Sequence, residues 1–147
     1  LLYNYGLTEK QMRRLFRKAH SSKGSSGQNL LVALESRLDN MVFRMGLAPT
    51  IPAARQLVNH GHVTVNGQRL DIASYAVKVN DVIGVREKSQ KNALIQASIE
   101  APTLVVPDYL NVEKEKMSAT CVRQPSRDDV PLDIQENLVV EYYSRAI

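Results

Sequence analysis

Apolar residues recur at three- and four-residue steps in the first 60 positions, which is the spacing of amphipathic helices. Residues 8–20 form one such pattern, and Thr8 and Gln11 have the spacing of a capping box at its start. A second stripe predicts a single helix ending at Gly46, because glycine adopts the left-handed cap without a Cβ clash. That stripe consists of Leu30, Leu31, Leu34, Leu38, Met41, Val42 and Met45. Residues 21–29 are rich in Ser and Gly and are predicted to form a loop.

The period changes from 3.6 to 2 after residue 61, which predicts a small antiparallel sheet. A third helix precedes this change, with Thr50 as its N-cap and Gly61 at its end. Asn66-Gly67 is a strong signal for a type I′ hairpin turn, since both central residues of that turn need positive φ. Further strands are predicted at residues 77–79, 82–85, 109–112 and 117–122. The pattern therefore indicates the α+β class.

The remaining elements are less regular. A helix is predicted over residues 90–100, with Ser89 as its cap, and residues 125–131 are predicted to form a loop. Apolar residues at four-residue steps favour a helix over residues 134–143, although 138–143 are also compatible with a strand.

Positive charge is concentrated in the front half of the chain. The net charge is +4, but residues 1–69 carry ten Lys or Arg and three Asp or Glu, whereas residues 70–147 carry nine and twelve. A basic half joined to an acidic half is typical of a protein that binds nucleic acid on one side and faces solvent or protein partners on the other.

Basic and amide side chains on shared helix faces and around the hairpin are the candidate RNA contacts, since Lys and Arg contacts to phosphate dominate affinity. The candidates are Lys10, Arg13, Arg14, Arg17, Lys18, Lys23, Arg37, Arg44, Thr50, Arg55, Gln56, Asn59, His60 and Arg69. Further phosphate contacts are considered at Lys116, Arg123 and Arg127. A charged helix face can also be merely solvated. Asp39 is expected to orient Arg37 or to cap local backbone, and Arg55→Ala is expected to lower the salt slope of RNA binding by about one.

Catalytic, metal and membrane functions find little support. No Ser-His-Asp or Cys-His set has a meaningful spacing, so the chain is predicted not to be an enzyme. His60 and His62 lack further ligands at metal spacing, and no cofactor or metal is predicted. No Gly-Lys-Ser/Thr follows the Gly-rich loop, which argues against a nucleoside triphosphate site. The lone Cys121 is interpreted as a small buried side chain in a strand, and no apolar run is long enough to span a membrane.

Three motifs resemble those of the RNA-binding module named after ribosomal small-subunit protein four. They are Arg37-Leu38-Asp39-Asn40, residues 53–58 (AARQLV) and Val65-Asn66-Gly67. Residues 5–11, 23–31 and 138–145 also resemble the flanks of the bacterial and plastid ribosomal proteins of that family. The resemblance implies a module at residues 37–88 of two helices and an antiparallel sheet. It interrupts a discontinuous, mostly helical rRNA-binding domain formed by residues 1–36 and 89–147.

The same resemblance implies a structural constituent of the small ribosomal subunit that binds a multi-helix rRNA junction, nucleates assembly and contributes to translational accuracy. Implied partners are the small-subunit rRNA, ribosomal protein five of that subunit and other ribosomal proteins, with no membrane and no small-molecule substrate. Residues 48–52 and the terminal residues resemble plastid and cyanobacterial members, which favours a chloroplast ribosome over a bacterial cytoplasm. The chain starts without methionine, so it is expected to be truncated. The resemblance implies that a basic segment precedes Leu1.

Two other functions stay open at the level of sequence. A pseudouridine synthase can carry a similar module, but only about 59 residues follow it, fewer than a usual catalytic domain. A quality-control factor that binds stalled ribosomes would keep the module, yet it would not need residues 1–31 or the terminal Tyr-Tyr-Ser-Arg.

Overall fold

A computed structural model describes residues 7–21, 26–100 and 105–126. Contacts divide the chain into two compact units, Leu1–Glu35 with Pro125–Ile147, and Ser36–Gln124. The predictions for Lys23, Arg127 and the helix or strand at residues 134–143 lie outside the described residues. Within the described part, no helix is long and apolar enough to cross a membrane.

Two helices, α1 (Glu9–Ser21) and α2 (Ser26–Glu35), pack together in the first unit. The predicted capping box is confirmed at the start of α1, where Thr8 Oγ1 accepts from the Gln11 N–H at 3.2 Å. In return, Gln11 Oε1 accepts from the Thr8 N–H at 3.0 Å. Asn29 Nδ2 donates to the Ala19 carbonyl at 3.3 Å and ties α2 to the end of α1. The prediction of a loop as far as residue 29 is wrong, since α2 begins at Ser26.

The apolar stripe of residues 30–45 belongs to two helices, so the prediction of one continuous helix is wrong. The break falls at Ser36 and Arg37, and α3 (Leu38–Arg44) follows it. Arg37 has extended backbone and forms a β-bridge with Ala76, while the Ser36 carbonyl accepts from the Val77 N–H at 2.9 Å. Periodicity continues across the break because both helices bury the same kind of side chain, so sequence spacing alone could not reveal it.

The helix α4 (Ile51–Asn59) starts where the sequence predicted. Thr50 Oγ1 accepts from the Ala53 N–H at 3.1 Å, and Pro52 lies in the first turn. Gly61 has φ +80° after the helix end, and Gly46 has φ +91° two residues after α3. Helices α3 and α4 contact each other and bury Leu38, Met41 and Val58 in the core of the second unit.

Five short strands form an antiparallel sheet in the order β2-β1-β3-β5-β4. They are β1 (Val63–Val65), β2 (Gln68–Arg69), β3 (Val82–Val85), β4 (Leu110–Glu113) and β5 (Ser118–Cys121). Alternation puts Val63, Val65 and Ile83 in the core, whereas Thr64 is half-buried on the opposite face. The type I′ turn is confirmed, with φ of 54° at Asn66 and 82° at Gly67. No strand forms at residues 77–79, so that prediction is wrong.

The compact unit extends beyond residue 88, because β5 pairs with β3 and β4 pairs with β5. A short 3₁₀ helix (Glu87–Ser89) leads to α5 (Ala93–Glu100), which starts three residues later than predicted. Asn92, not Ser89, caps α5, since Asn92 Oδ1 accepts from the Leu94 N–H at 2.9 Å. A second 3₁₀ helix (Lys114–Lys116) joins β4 to β5. Cys121 is buried in a strand, as the sequence predicted.

Candidate nucleic-acid interface

Helix α1 presents cations along its outer side. Its buried side consists of Met12, Phe16 and Ala19, which follow the helical period. The five predicted contacts on α1 are all exposed, and they are Lys10, Arg13, Arg14, Arg17 and Lys18. Glu9 is the helix's single acid, and its Oε1 lies 3.5 Å from Arg13 Nε. The cations of α1 lie three or four residues apart and repel one another, so an RNA phosphate bound between them would stabilise this face.

Asp39 gathers two of the candidate arginines in the second unit. Arg37 donates to both carboxylate oxygens, from Nε and Nη2 at 3.1 Å each, and Arg55 Nε donates to Oδ2 at 3.2 Å. The carboxylate also accepts from the Asn40 N–H at 2.7 Å. Asp39 is 1% exposed and Arg37 is 6% exposed, whereas the Arg55 side chain is 23% exposed. The expectation that Asp39 orients Arg37 and caps local backbone is confirmed.

This geometry gives the two arginines different opportunities. Arg37 is buried in a bidentate pair, which places its guanidinium in a structural contact. Arg55 keeps part of its side chain at the surface, so it can hold a phosphate on one side and Asp39 on the other. Two cations around one anion leave a net charge of +1 in the cluster.

The remaining candidates of the second unit lie at several places. Gln56 and Asn59 are exposed at a spacing of three residues on α4, and His60 is exposed at its end. The Arg44 guanidinium carbon lies 5.3 Å from the centroid of the Phe43 ring, a cation–π contact. Thr50 is exposed, and its hydroxyl oxygen caps α4.

Arg69 lies on the hairpin, and the sheet register places it on the same face as Arg86, a residue that the sequence analysis did not predict. The register pairs Arg69 with Thr64 and Thr64 with Gly84 across the sheet. Arg86 follows two residues after Gly84, on the same face by alternation. Sequence reasoning missed Arg86, although the period-2 pattern of residues 82–85 continued by one residue would have identified it.

A second carboxylate, Asp81, organises the turns of the sheet. It accepts from Asn66 Nδ2 at 2.9 Å, from the Tyr75 hydroxyl at 2.7 Å and from the Lys78 N–H at 3.0 Å. Burial alone would raise the pKa of Asp81, but these hydrogen bonds stabilise the ionised form more, so its pKa is lowered. The hydrogen bond to Asp81 raises the pKa of Tyr75 above 10.0, and burial acts in the same direction.

Metal ligands and the single thiol bear on two further functions, a metal site and a nucleophile. No group of three or more His, Cys, Asp or Glu side chains is placed to hold a metal in residues 7–21, 26–100 and 105–126. Burial raises the pKa of the Cys121 thiol, and the negative charge of Asp81 acts in the same direction. A thiol kept protonated in this way is a weak nucleophile.

Known proteins match the chain along its whole length. A model of the S4 domain matches residues 36–83, and a model of the ribosomal protein S4/S9 N-terminal domain matches residues 2–35. The small ribosomal subunit protein uS4 of Prochlorococcus marinus is 52% identical over 148 residues, which covers 100% of this chain and 73% of that protein. The uS4 protein of Synechococcus elongatus is 53% identical with the same coverage of both chains.

Proposed function

Because the chain belongs to the uS4 family of small ribosomal subunit proteins, we propose that it nucleates assembly of the small subunit by binding a multi-helix junction of its rRNA. The protein is a structural constituent of the small ribosomal subunit and binds small-subunit rRNA together with other ribosomal proteins. Its family is a structural, non-enzymatic class. We propose that the chain itself has no enzymatic activity and that it contributes to translational accuracy.

One observation carries this proposal: the S4 domain and the ribosomal N-terminal domain occur in tandem in one chain. A stalled-ribosome factor would not need the N-terminal domain. A pseudouridine synthase would need a catalytic domain instead, and the two uS4 relatives described above, which match the whole chain, are small ribosomal subunit proteins.

Two sets of residues are proposed to contact rRNA. In the first unit they are the exposed cations of α1, and we add Lys23, which lies outside the described residues. We propose that residues 1–36 act as a discontinuous rRNA-binding domain together with the C-terminal part of residues 89–147, since contacts group Leu1–Glu35 with Pro125–Ile147. In the second unit the strongest candidates are Arg55 and Arg69, because the Arg55 side chain is partly exposed and Arg69 is exposed. Arg44, Gln56, Asn59 and His60 are proposed as neighbouring contacts. We propose that Arg37 and Thr50 act indirectly by positioning Asp39 and α4.

The salt dependence of binding to an isolated five-helix junction of small-subunit rRNA tests this function. The full chain is titrated with the junction RNA at several salt concentrations, with an unrelated structured RNA as competitor. We expect tight binding that resists the competitor and falls steeply with salt, because each phosphate that the protein neutralises adds roughly 0.7–0.9 to the log–log slope. Weak binding that is equal for both RNAs would contradict the proposal.

A protein partner and a compartment are also proposed. The resemblance to this family supports contact with ribosomal protein five of the small subunit. A pull-down of that protein with the full chain tests this contact. Similarity to cyanobacterial uS4 proteins supports a chloroplast ribosome, with a bacterial cytoplasm as the alternative. Immunodetection in small subunits purified from isolated chloroplasts separates the two.

A further inference from the structure

A groove of about 620 Å³ opens beside the hairpin in the second unit. Its polar lining includes Thr64, Arg69, Arg86 and Gln90, and Glu87 is its one acidic lining residue. Its volume lies within the range of about 300–1,000 Å³ that small-ligand sites occupy. The groove is therefore large enough for one nucleotide.

The two arginines of this groove keep their charge available. The side chains of Arg69 and Arg86 make no hydrogen bond or ion pair with another residue in the described part of the chain, and both residues retain solvent exposure. Arg37, in contrast, is neutralised by the buried Asp39 carboxylate. Two unpaired guanidinium groups in one concavity attract a phosphate.

Arg69 also offers a flat surface. Its Cζ and Nη2 atoms lie 2.6 Å from the position that a Cβ on Gly61 would occupy. The guanidinium therefore rests directly on the Gly61 backbone, which no residue with a side chain would permit without displacing it. A guanidinium plane held in this way is a surface on which an unpaired RNA base can stack.

The groove has fixed polar groups beside this plane. Gln90 Nε2 donates to the Val85 carbonyl at 3.4 Å, which anchors the amide and leaves its oxygen as an acceptor. Two hydrogen bonds fix the backbone of Arg86. Its N–H donates to the His62 carbonyl at 2.8 Å, and its carbonyl accepts from the Ser89 N–H at 2.8 Å. The Thr64 hydroxyl adds a donor and acceptor for a ribose 2′-hydroxyl.

We propose that this groove binds one unstacked nucleotide of single-stranded RNA, with its base on the Arg69 guanidinium and its phosphate against Arg86. This inference rests on the proposed function, which supplies RNA as the ligand. It adds that the groove recognises an unpaired nucleotide of that RNA. A base within a duplex is covered on both faces by its neighbours, so only an unpaired nucleotide exposes a face to Arg69.

NMR titration of the full chain tests the inference. A single-stranded tetrauridylate is added while the Arg Nε–H and Gln side-chain amide signals are followed, with a duplex of equal length and inorganic phosphate as parallel probes. The variants are Arg86→Ala and Arg69→Lys, and Lys88→Ala is the matched control, because Lys88 is an exposed cation beside the groove that does not line it.

We expect the single strand to shift the signals of Arg69, Arg86 and Gln90. Both Arg86→Ala and Arg69→Lys should weaken its binding about tenfold, near the lower end of what base stacking contributes, while Lys88→Ala changes it by less than about twofold. Arg69→Lys keeps the positive charge but removes the planar guanidinium, so a loss of affinity in this variant identifies base stacking. Wild-type affinity in Arg69→Lys, equal shifts from phosphate alone, or equal binding of the duplex would each overturn the inference.

The junction RNA separates this inference from the proposed function. The same samples are titrated with the five-helix junction across the salt series. Failure of the wild-type chain to bind the junction would contradict the proposed function. Tight junction binding, together with no tetrauridylate shift at Arg86, would overturn the groove inference alone.

Discussion

Two pairs of arginines in the second unit use the same side chain in opposite ways. Arg37 and Arg55 share the buried carboxylate of Asp39, with all three N···O distances at 3.1–3.2 Å. Arg69 and Arg86 line an open groove and have no acidic partner among the described residues. The first pair holds α3, α4 and the bridge at residue 37 together, whereas the second pair can neutralise an external anion.

This difference shows that an arginine's role depends on the nearest carboxylate and on burial more than on its place in a motif. A charge compensated inside the protein contributes to folding, and its removal strands its partner in a low-dielectric site. A charged side chain without an internal partner can instead form its ion pair with a ligand. Four sets of substitutions test this comparison, and they follow from the largest expected effect to the smallest.

Removing the shared carboxylate should have the largest effect. Asp39→Ala leaves Arg37 buried without its anion, so we expect the free energy of unfolding to fall by roughly 3–5 kcal/mol. Urea unfolding measures the change. Asp71→Ala removes an exposed aspartate and should change stability by less than about 0.5 kcal/mol. Equal stability of the two variants would show that the arginine cluster is not structural.

The exposed cations of α1 should affect RNA binding without affecting stability. The triple variant Lys10→Ala, Arg14→Ala and Arg17→Ala should lower affinity for the junction RNA about a hundredfold and reduce the salt slope by about two. Circular dichroism should show an intact helix, since alanine favours helix formation.

A matched triple variant distinguishes local contacts from net charge. Lys88, Lys91 and Lys114 are exposed cations of the second unit, and their replacement by alanine removes the same charge. If both triple variants lost equal affinity, the effect would come from overall charge and not from the face of α1.

A direct comparison of Arg69→Ala with Arg55→Ala sharpens the contrast within the module. We expect Arg69→Ala to lower the salt slope by about one, because its charge has no internal partner. For Arg55→Ala we now expect a smaller change than the one unit that the sequence suggests, because Asp39 already compensates part of the Arg55 charge. Arg55→Ala should instead reduce stability more than Arg69→Ala, since it removes a hydrogen bond to Asp39. A larger slope change for Arg55→Ala would reverse the assignment of the two roles.

The smallest effect is expected at Asp81, a carboxylate held by neutral donors instead of arginines. The pKa of Asp81 is lowered in the folded protein, so the ionised carboxylate stabilises the fold at pH values above its ordinary pKa of 3.8. This stabilisation is lost as the pH falls through the pKa of the folded state. Asp81→Asn should therefore cost about 1 kcal/mol at pH 7 and progressively less at lower pH. Urea unfolding at pH 7 and pH 3 measures this, with Asp71→Asn as the control. A pH-independent difference would show that ionisation of Asp81 does not contribute.

Local signals predicted the element types well where the chemistry is local. Thr8 with Gln11, Thr50, and Asn66-Gly67 form the caps and the turn expected of them, because each acts over two to four residues. The start of α5 was misplaced because Ser89 and Asn92 are both possible caps. Ser89 lies in a 3₁₀ turn, where its hydroxyl lies 2.7 Å from His62 Nδ1.

The sequence by itself determined the α+β class, the basic front half and the family, since these depend on periodicity, composition and contiguous motifs. Only the tertiary structure decided that the stripe of residues 30–45 breaks at Arg37 and that Asp39 joins Arg37 to Arg55. It also decided that strands near residues 110 and 120 complete the sheet. These features depend on pairings between residues far apart in the chain, and sequence spacing carries no information on which distant groups will meet.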